Sequence, residues 1–274
     1  MVEWITEPLR YGFALRGLLA GVLAAVACAA LSGFVVWRGM SFIGDAIAHS
    51  ILPGVVVAFV IGVSLFIGAL VAASLTALGI GILTRHKSIR EDTAIGVMFT
   101  GLFALGIALL SRLASYSDVT HILFGNILGV SRSDVIVLLL IAICVVVVII
   151  AFYKELLVTS FDPGHSVAIG LSPELVRYGL LFLIAITVVA GFQSVGVVLV
   201  LALLITPAAT ASLLVNRLTS VLIVSVVVGV LSAVVGFYAS YYLDVASGAS
   251  IVLVLSVLFL FAYVGSRVRH RRVA

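Results

Sequence analysis

Nine stretches of the sequence are strongly apolar, nearly free of charge and close to twenty residues long. A helix of about twenty apolar residues spans the hydrocarbon core of a bilayer. The pattern therefore predicts an all-α, polytopic membrane protein with about eight or nine transmembrane helices, the count depending on whether the segments on either side of Gly62 are separate spans. The predicted spans are residues 13–36, 42–61, 62–83, 93–112, 134–153, 176–192, 195–214, 218–242 and 249–266.

Composition supports a membrane protein and excludes an ordinary soluble one. Hydrophobic residues make up 64% of the 274 residues and charged residues only 9%, whereas about a quarter of a soluble domain is charged. No polar stretch is long enough for a soluble domain, so we expect residues 1–274 to form a single transmembrane domain. The chain lacks a G-x-x-x-x-G-K-[ST] phosphate loop, H-E-x-x-H and G-x-S-x-G, so we expect no enzyme activity and no permanently bound cofactor.

The basic residues predict the orientation. A nine-span topology places eleven of the fifteen Lys and Arg residues on one side, and the positive-inside rule assigns that side to the cytoplasm. The C-terminus, with a basic tail over residues 267–274, is then cytoplasmic. Because membrane topology accounts for these basic residues, the pI near 9.3 does not indicate that the protein binds nucleic acid. The eleven residues are Arg38, Arg85, Lys87, Arg90, Lys154, Arg177, Arg217, Arg267, Arg269, Arg271 and Arg272.

The second predicted span carries an ionisable pair, Asp45 and His49, at a spacing of four residues. On a helix this spacing places both side chains on one face, one turn apart. An intramembrane aspartate costs on the order of 3 kcal/mol, so it normally faces a cavity, a partner or a substrate. A carboxylate with an imidazole suits a divalent ion such as Mn²⁺, Zn²⁺ or Fe²⁺.

The Asp45–His49 pair also has two other interpretations. It could relay protons, as in a stand-alone proton-coupled carrier, or it could be a hydrogen bond that packs helices in a membrane scaffold without transport. Two ligands are too few for a tight metal site, so water, other groups or a second copy of the chain would supply the rest. If the helix begins at Phe42, Asp45 lies only about 5 Å and His49 about 10 Å into it, which leaves the depth of the site open.

Two prolines interrupt the apolar pattern. Pro53 and Gly54 follow the ionisable pair; the proline can kink the helix and the glycine lets a neighbouring helix approach. Pro207 lies in the second half, where an interrupted helix and a plain kink are equally compatible with the sequence.

Two loops carry further candidates. Asp118 and His121 fall in a predicted outer loop, where they could meet an incoming metal, although solvated loop residues are the simpler interpretation. In the loop before the sixth span, Asp162 and Pro163 can begin a short helix that Gly170 ends. A short cytoplasmic helix over residues 162–170 could dock another protein. Ser172-Pro173-Glu174 then provides a cap for the following span.

The segment Asp45-Ala-Ile-Ala-His49-Ser-Ile-Leu-Pro-Gly54, with the residues before it from Val35, resembles the signature of the manganese, zinc and iron ABC importer permeases. Residues 88–96, 121–126 and 203–211 also resemble segments of this family. The residues around Asp45 and His49 resemble those of the manganese branch of the family more than those of the zinc branch, although both Mn²⁺ and Zn²⁺ accept these ligands.

The resemblance implies a homodimeric permease in a bacterial plasma membrane that imports Mn²⁺, or Zn²⁺ or Fe²⁺, as a transported substrate. Asp45 and His49 match the family's pathway residues. The implied partners are a second permease copy, a cytoplasmic ATP-binding cassette ATPase dimer, an extracytoplasmic metal-binding protein and membrane lipid. The ATPase would dock on the 162–170 helix through Asp162, Pro163, Ala168, Ile169 and Gly170.

Overall fold

The computed structural model describes residues 6–85, 88–112 and 129–271, and these residues form helices and connecting turns without a β-strand. A short 3-10 helix, Pro8–Arg10, precedes twelve α-helices in the described ranges. They are α1 (Gly12–Trp37), α2 (Ile43–Ser50), α3 (Leu52–Ile61), α4 (Leu65–Leu83), α5 (Glu91–Leu110), α6 (Arg132–Ala151), α7 (Tyr153–Phe161), α8 (Pro163–Ala168), α9 (Pro173–Val195), α10 (Val197–Leu214), α11 (Leu218–Leu243) and α12 (Ser247–Arg271).

Nine helical segments of the described residues are long and apolar enough to cross a membrane, with α2 and α3 together forming one of them. The predicted all-α, polytopic fold is therefore confirmed. The bounds agree within about three residues except at the end of α12, which continues as a helix to Arg271 although its span was predicted to end at residue 266. The third span begins at Leu65, later than predicted, because residues 62–64 form the turn after α3. Gly62 has a φ of +74° in this turn, a left-handed conformation that glycine adopts without steric cost.

The second span is interrupted between α2 and α3. Ile51 forms a turn there, and Pro53 lies in the first turn of α3, where its missing N–H is tolerated. This confirms the predicted disturbance at Pro53. Helix α10 differs, because it continues from Val197 to Leu214 with Pro207 inside it.

Helix α1 is the centre of the bundle. It packs against α6, α9, α10 and α11, and between Ala24 and Ala30 every residue except Val26 is small and buried. Small side chains allow close approach of neighbouring membrane helices; Gly229 of α11, for example, faces Ala25 and Ala29. Helices α5, α6 and α12 lie at the periphery and leave large apolar side chains exposed, as lipid contact requires.

A very close backbone approach joins α3 to α4. A β-carbon added at Gly54 would collide with the carbonyl oxygen of Gly68, and one added at Gly68 would collide with the carbonyl oxygen of Gly54. The expectation that Gly54 admits a neighbouring helix is thus confirmed. This crossing holds the second span firmly against α4.

One end of the bundle, the basic end, is defined by Arg38, Arg85, Arg177 and Arg217, where α1, α4 and α10 end and α5, α9 and α11 begin. Polar contacts join neighbouring elements here. Tyr153 and Thr219, for example, form a hydroxyl–hydroxyl hydrogen bond of 2.7 Å between α7 and α11. The short helix α8 lies at the same end, between α7 and α9.

Candidate functional site

Asp45 and His49 lie one turn apart on α2, as their spacing predicts. His49 Nε2 is 3.4 Å from Asp45 Oδ1, and each side chain keeps 41% of its surface exposed. Their neighbours along the helix are buried, including Gly44, Ala46 and Ser50. Helix α2 thus presents one open polar face, while the rest of its surface is packed against the protein.

The packed faces of α2 are fixed by two neighbouring helices. Gly44 lies against Leu201 and Leu204 of α10, close enough that an added β-carbon would be 2.9 Å from a methyl group of Leu201. Ser50, next to His49, forms a hydroxyl–hydroxyl hydrogen bond of 2.8 Å with Thr76 of α4. The back of the helix is therefore held in place while the polar face stays open.

Two aromatic side chains of α5 form a wall beside the imidazole. The ring centroid of His49 is 5.7 Å from that of Phe99 and 5.4 Å from that of Phe103, the latter in an edge-on arrangement. The two phenylalanine rings stack on each other at 5.8 Å. Such aromatic contacts prefer defined geometries, so the wall restricts the rotation of His49.

These contacts also give the depth of the pair. Phe99 and Phe103 flank the middle of α5, and Thr76 lies in the middle third of α4. His49 and Ser50 contact these residues, so the pair lies inside the bundle at middle depth, although Asp45 is only about 3 Å and His49 about 9 Å beyond the start of α2. Of the connection before α2, Met40 is buried and Phe42 is exposed.

The donor set is one carboxylate and one imidazole. Within residues 6–85, 88–112 and 129–271 no group of three or more His, Cys, Asp or Glu side chains could hold a metal ion. The pair can therefore offer an ion one oxygen and one nitrogen ligand, with the remaining positions left to water or other groups. Asp118 and His121, the second predicted metal pair, lie outside the described residues.

The predicted docking segment forms a short exposed helix, α8. The Asp162 carboxylate caps it by accepting a hydrogen bond of 2.8 Å from the backbone N–H of His165. Pro163 opens the helix, and Gly170 follows it with a φ of +81°. Asp162, Pro163, Ala168, Ile169 and Gly170 are all exposed, so these five residues are accessible at the basic end of the bundle.

A charge cluster at the basic end was not predicted from the sequence. Arg177 of α9 forms an ion pair of 3.2 Å with Glu91 of α5. Arg38, just after α1, donates hydrogen bonds of 3.0 Å to the hydroxyls of Ser160 and Thr159 on α7. Burial lowers the pKa of the Arg38 guanidinium from its ordinary value; nearby Glu91 opposes that shift and Arg177 adds to it.

The described residues also line an open cavity of about 530 Å³ at the opposite end of the bundle. Ser64, Asp134 and Gln193 line it together with apolar side chains. The Asp134 carboxylate is already engaged, because it accepts hydrogen bonds from the backbone and side chain of Ser131 at the start of α6. The cavity is thus separate from the Asp45–His49 pair and adds no ligand to it.

Comparison with known proteins identifies relatives over nearly the whole chain. Residues 10–266 match the ABC 3 transport family. The manganese transport system membrane protein MntC of Halalkalibacterium halodurans is 47% identical over 258 residues, covering 94% of this chain and 88% of the relative. The chelated iron transport system membrane protein YfeD of Yersinia pestis is 38% identical over 265 residues, covering 97% of this chain and 89% of the relative.

A solved structure agrees with the fold. The structure described as PsaBC from Streptococcus pneumoniae in complex with Fab superposes with a TM-score of 0.82 at 38% identity, and the match covers 96% of this chain and 95% of that chain.

Proposed function

Because the chain belongs to the ABC 3 transport family, we propose that it is the membrane-spanning permease subunit of an ATP-driven importer of a divalent transition metal, with Mn²⁺ as the preferred substrate. The ion passes Asp45 and His49 on its way through the membrane. ATP hydrolysis takes place on a separate cytoplasmic subunit, since the sequence has no phosphate-binding loop.

The observation that carries this proposal is the open polar face of α2. A carboxylate and an imidazole 3.4 Å apart lie at the middle depth of an otherwise apolar bundle. Ionisable groups at that depth are costly and are retained for transport pathways or proton relays. The mixed oxygen and nitrogen donors suit a first-row divalent ion better than an alkali ion or an anion.

Two considerations favour manganese. Several relatives that match nearly the whole chain carry manganese transport in their names, and one carboxylate with one imidazole is an acceptable ligand set for Mn²⁺. Iron remains within the substrate range, because other relatives are named for iron transport. The small number of protein ligands also suits a transported ion, which must leave the site again.

The proposed cycle is alternating access. The positive-inside rule assigns the basic end, with α8 and the C-terminus, to the cytoplasm of a bacterial cell. An ATPase dimer docks on α8 through Asp162, Pro163, Ala168, Ile169 and Gly170 in each of two permease copies. Its ATP-driven closure moves the helices that carry the pair, so that Asp45 and His49 face first one side of the membrane and then the other. An extracytoplasmic metal-binding protein delivers the ion.

The test is Mn²⁺ uptake by the complete complex in proteoliposomes. Asp45→Asn and His49→Ala should each reduce uptake to background while leaving assembly with the ATPase intact, because the first removes the negative charge of the pair and the second removes its nitrogen ligand. Asp92→Asn, which removes an exposed carboxylate of α5, is the matched control and should transport normally.

Normal uptake by both site variants would contradict the assignment of the pathway. Uptake by the purified chain alone, driven by a pH gradient without an ATPase, would instead support a proton-coupled carrier. A complex with neither uptake nor metal-stimulated ATP hydrolysis would support a scaffold.

A further inference from the structure

We infer that Arg177–Glu91 and Arg38 are positioning residues that tie the elements on either side of the docking helix to the helices that hold the metal. Through them, movement of α8 is transmitted to Asp45 and His49. The inference rests on the proposed function.

The docking helix is held between two elements. Helix α7 (Tyr153–Phe161) leads into α8, and α9 (Pro173–Val195) follows it after residues 169–172. Since α8 has only six residues and is exposed, its movement must pass into the protein through α7 and α9. The polar contacts of these two elements can then be followed to the helices around Asp45 and His49.

Helix α9 is tied to α5. The Arg177–Glu91 ion pair spans 3.2 Å, and its side chains are only 20% and 27% exposed. A pair this well shielded is screened little by salt and is costly to break by removing one partner. Helix α5 carries Phe99 and Phe103, which contact the ring of His49. A displacement of Arg177 thus reaches the imidazole through one ion pair, one helix and one aromatic contact.

Helix α7 is tied to the other end of the same site. The Arg38 guanidinium donates to the hydroxyls of Thr159 and Ser160, and the Thr159 hydroxyl in turn donates to the backbone carbonyl of Glu155 at 2.7 Å. Arg38 directly follows α1, and residues 39–42 connect it to α2, which carries Asp45. Both metal-binding side chains are therefore linked to the docking helix through an arginine.

A second ion pair near the first provides a control. Arg85 of α4 and Glu174 of α9 are 2.7 Å apart, but their side chains are 54% and 57% exposed, so solvent screens the pair. Glu174 lies on the same helix as Arg177, one turn earlier. Its partner helix α4 does reach the site, through the Thr76–Ser50 hydrogen bond, but close packing of Gly81 against Tyr178 also joins α4 to α9, so the exposed pair is not what holds these two helices together. Removing this pair changes the charge of α9 without cutting the link to α5.

The experiment measures the ratio of ATP hydrolysed to Mn²⁺ taken up by the complete permease–ATPase complex in proteoliposomes. Glu91→Gln and Arg177→Gln should raise this ratio on the order of tenfold, the size of a typical coupling between sites. The charge-reversed double variant, Glu91→Arg with Arg177→Glu, should restore the ratio toward wild type. Arg85→Gln should leave it unchanged.

An unchanged ratio in assembled Glu91→Gln and Arg177→Gln complexes would overturn the inference. A charge-reversed double variant that assembles but keeps a raised ratio would also overturn it. If a single variant fails to assemble because it leaves a buried charge unpaired, the reversed pair and Arg38→Lys decide the question by the same ratio. If the proposed function itself is wrong, the result is different: the wild-type complex would take up no Mn²⁺, and its rate of ATP hydrolysis would not change when Mn²⁺ is added.

Discussion

The crossing of α3 and α4 makes Gly54→Ala a demanding test of the fold around the site. The new β-carbon would lie 2.6 Å from the β-carbon of Ala72 and would overlap the carbonyl oxygen of Gly68. Carbon atoms pack best at about 3.5–4.0 Å, so the two helices would have to separate by about 1 Å. A flexible side chain cannot relieve the clash, because a backbone atom causes it.

The magnitude follows from two opposing effects. Overpacking a tight contact costs about 1–3 kcal/mol, and the backbone obstruction at Gly54 favours the upper part of that range. Alanine is about 1 kcal/mol better than glycine within a helix, which offsets part of the loss. We expect Gly54→Ala to lower the free energy of unfolding by about 2 kcal/mol, taking the upper estimate less the propensity gain.

Thermal unfolding of the purified protein in detergent measures this effect. Gly179→Ala is the matched control, because Gly179 also lies within a membrane helix but a β-carbon there meets no atom within 4 Å. The control should unfold at the wild-type temperature or above it, owing to its higher helix propensity. A Gly54→Ala variant as stable as Gly179→Ala would refute the close crossing.

Two further predictions concern the docking helix and its anchor. Asp162→Ala removes the cap of α8, worth about 1 kcal/mol, and Ile169→Asp places a charge on its exposed face; both should reduce co-purification of the ATPase, while Val245→Asp, a similarly exposed site at the opposite end, should not. Equal retention of the ATPase by all three variants would contradict docking on α8. Arg38→Lys keeps the charge but cannot reproduce the forked donation to Thr159 and Ser160, so the ratio of ATP hydrolysed to Mn²⁺ transported should rise in the same assay; an unchanged ratio would exclude Arg38 from the link.

The nine spans were predictable because each depends only on local composition. Apolar length identifies a membrane helix without any knowledge of its neighbours, and capping residues refine its start; Ser172, for example, accepts a hydrogen bond from the backbone N–H of Leu175 at the beginning of α9. The bound at Gly62 was inaccurate because a left-handed glycine ends α3 there. Hydropathy does not report such a turn, because the residues around it are as apolar as the spans.

The polar pair was also predictable, whereas its surroundings were not. The four-residue spacing of Asp45 and His49 follows from helix geometry alone. Phe99 and Phe103 have the same spacing, but on a peripheral apolar helix the sequence equally suggests lipid contact. The pairing of Arg177 with Glu91 depends on how α9 and α5 approach each other, and no local pattern determines this. The sequence therefore identifies Asp45 and His49 as the candidate site but does not identify the contacts that position them.

The Gly54–Gly68 crossing also predicts how two substitutions combine. A β-carbon at Gly68 would lie 2.5 Å from the β-carbon of Ala58 and would meet the carbonyl oxygen of Gly54, so either alanine must separate the same two helices. Once the first has done so, the second finds the space already open, and the double variant should lose less stability than the sum of the single variants, by an interaction energy of about 0.5–3 kcal/mol. Separation by about 1 Å also stretches the 2.8 Å Ser50–Thr76 hydrogen bond beyond its useful length, which frees α2 beside His49. Strictly additive losses would mean that the two glycines do not share one crossing, and Mn²⁺ uptake unchanged in a destabilised Gly54→Ala complex would mean that α4 does not fix the site.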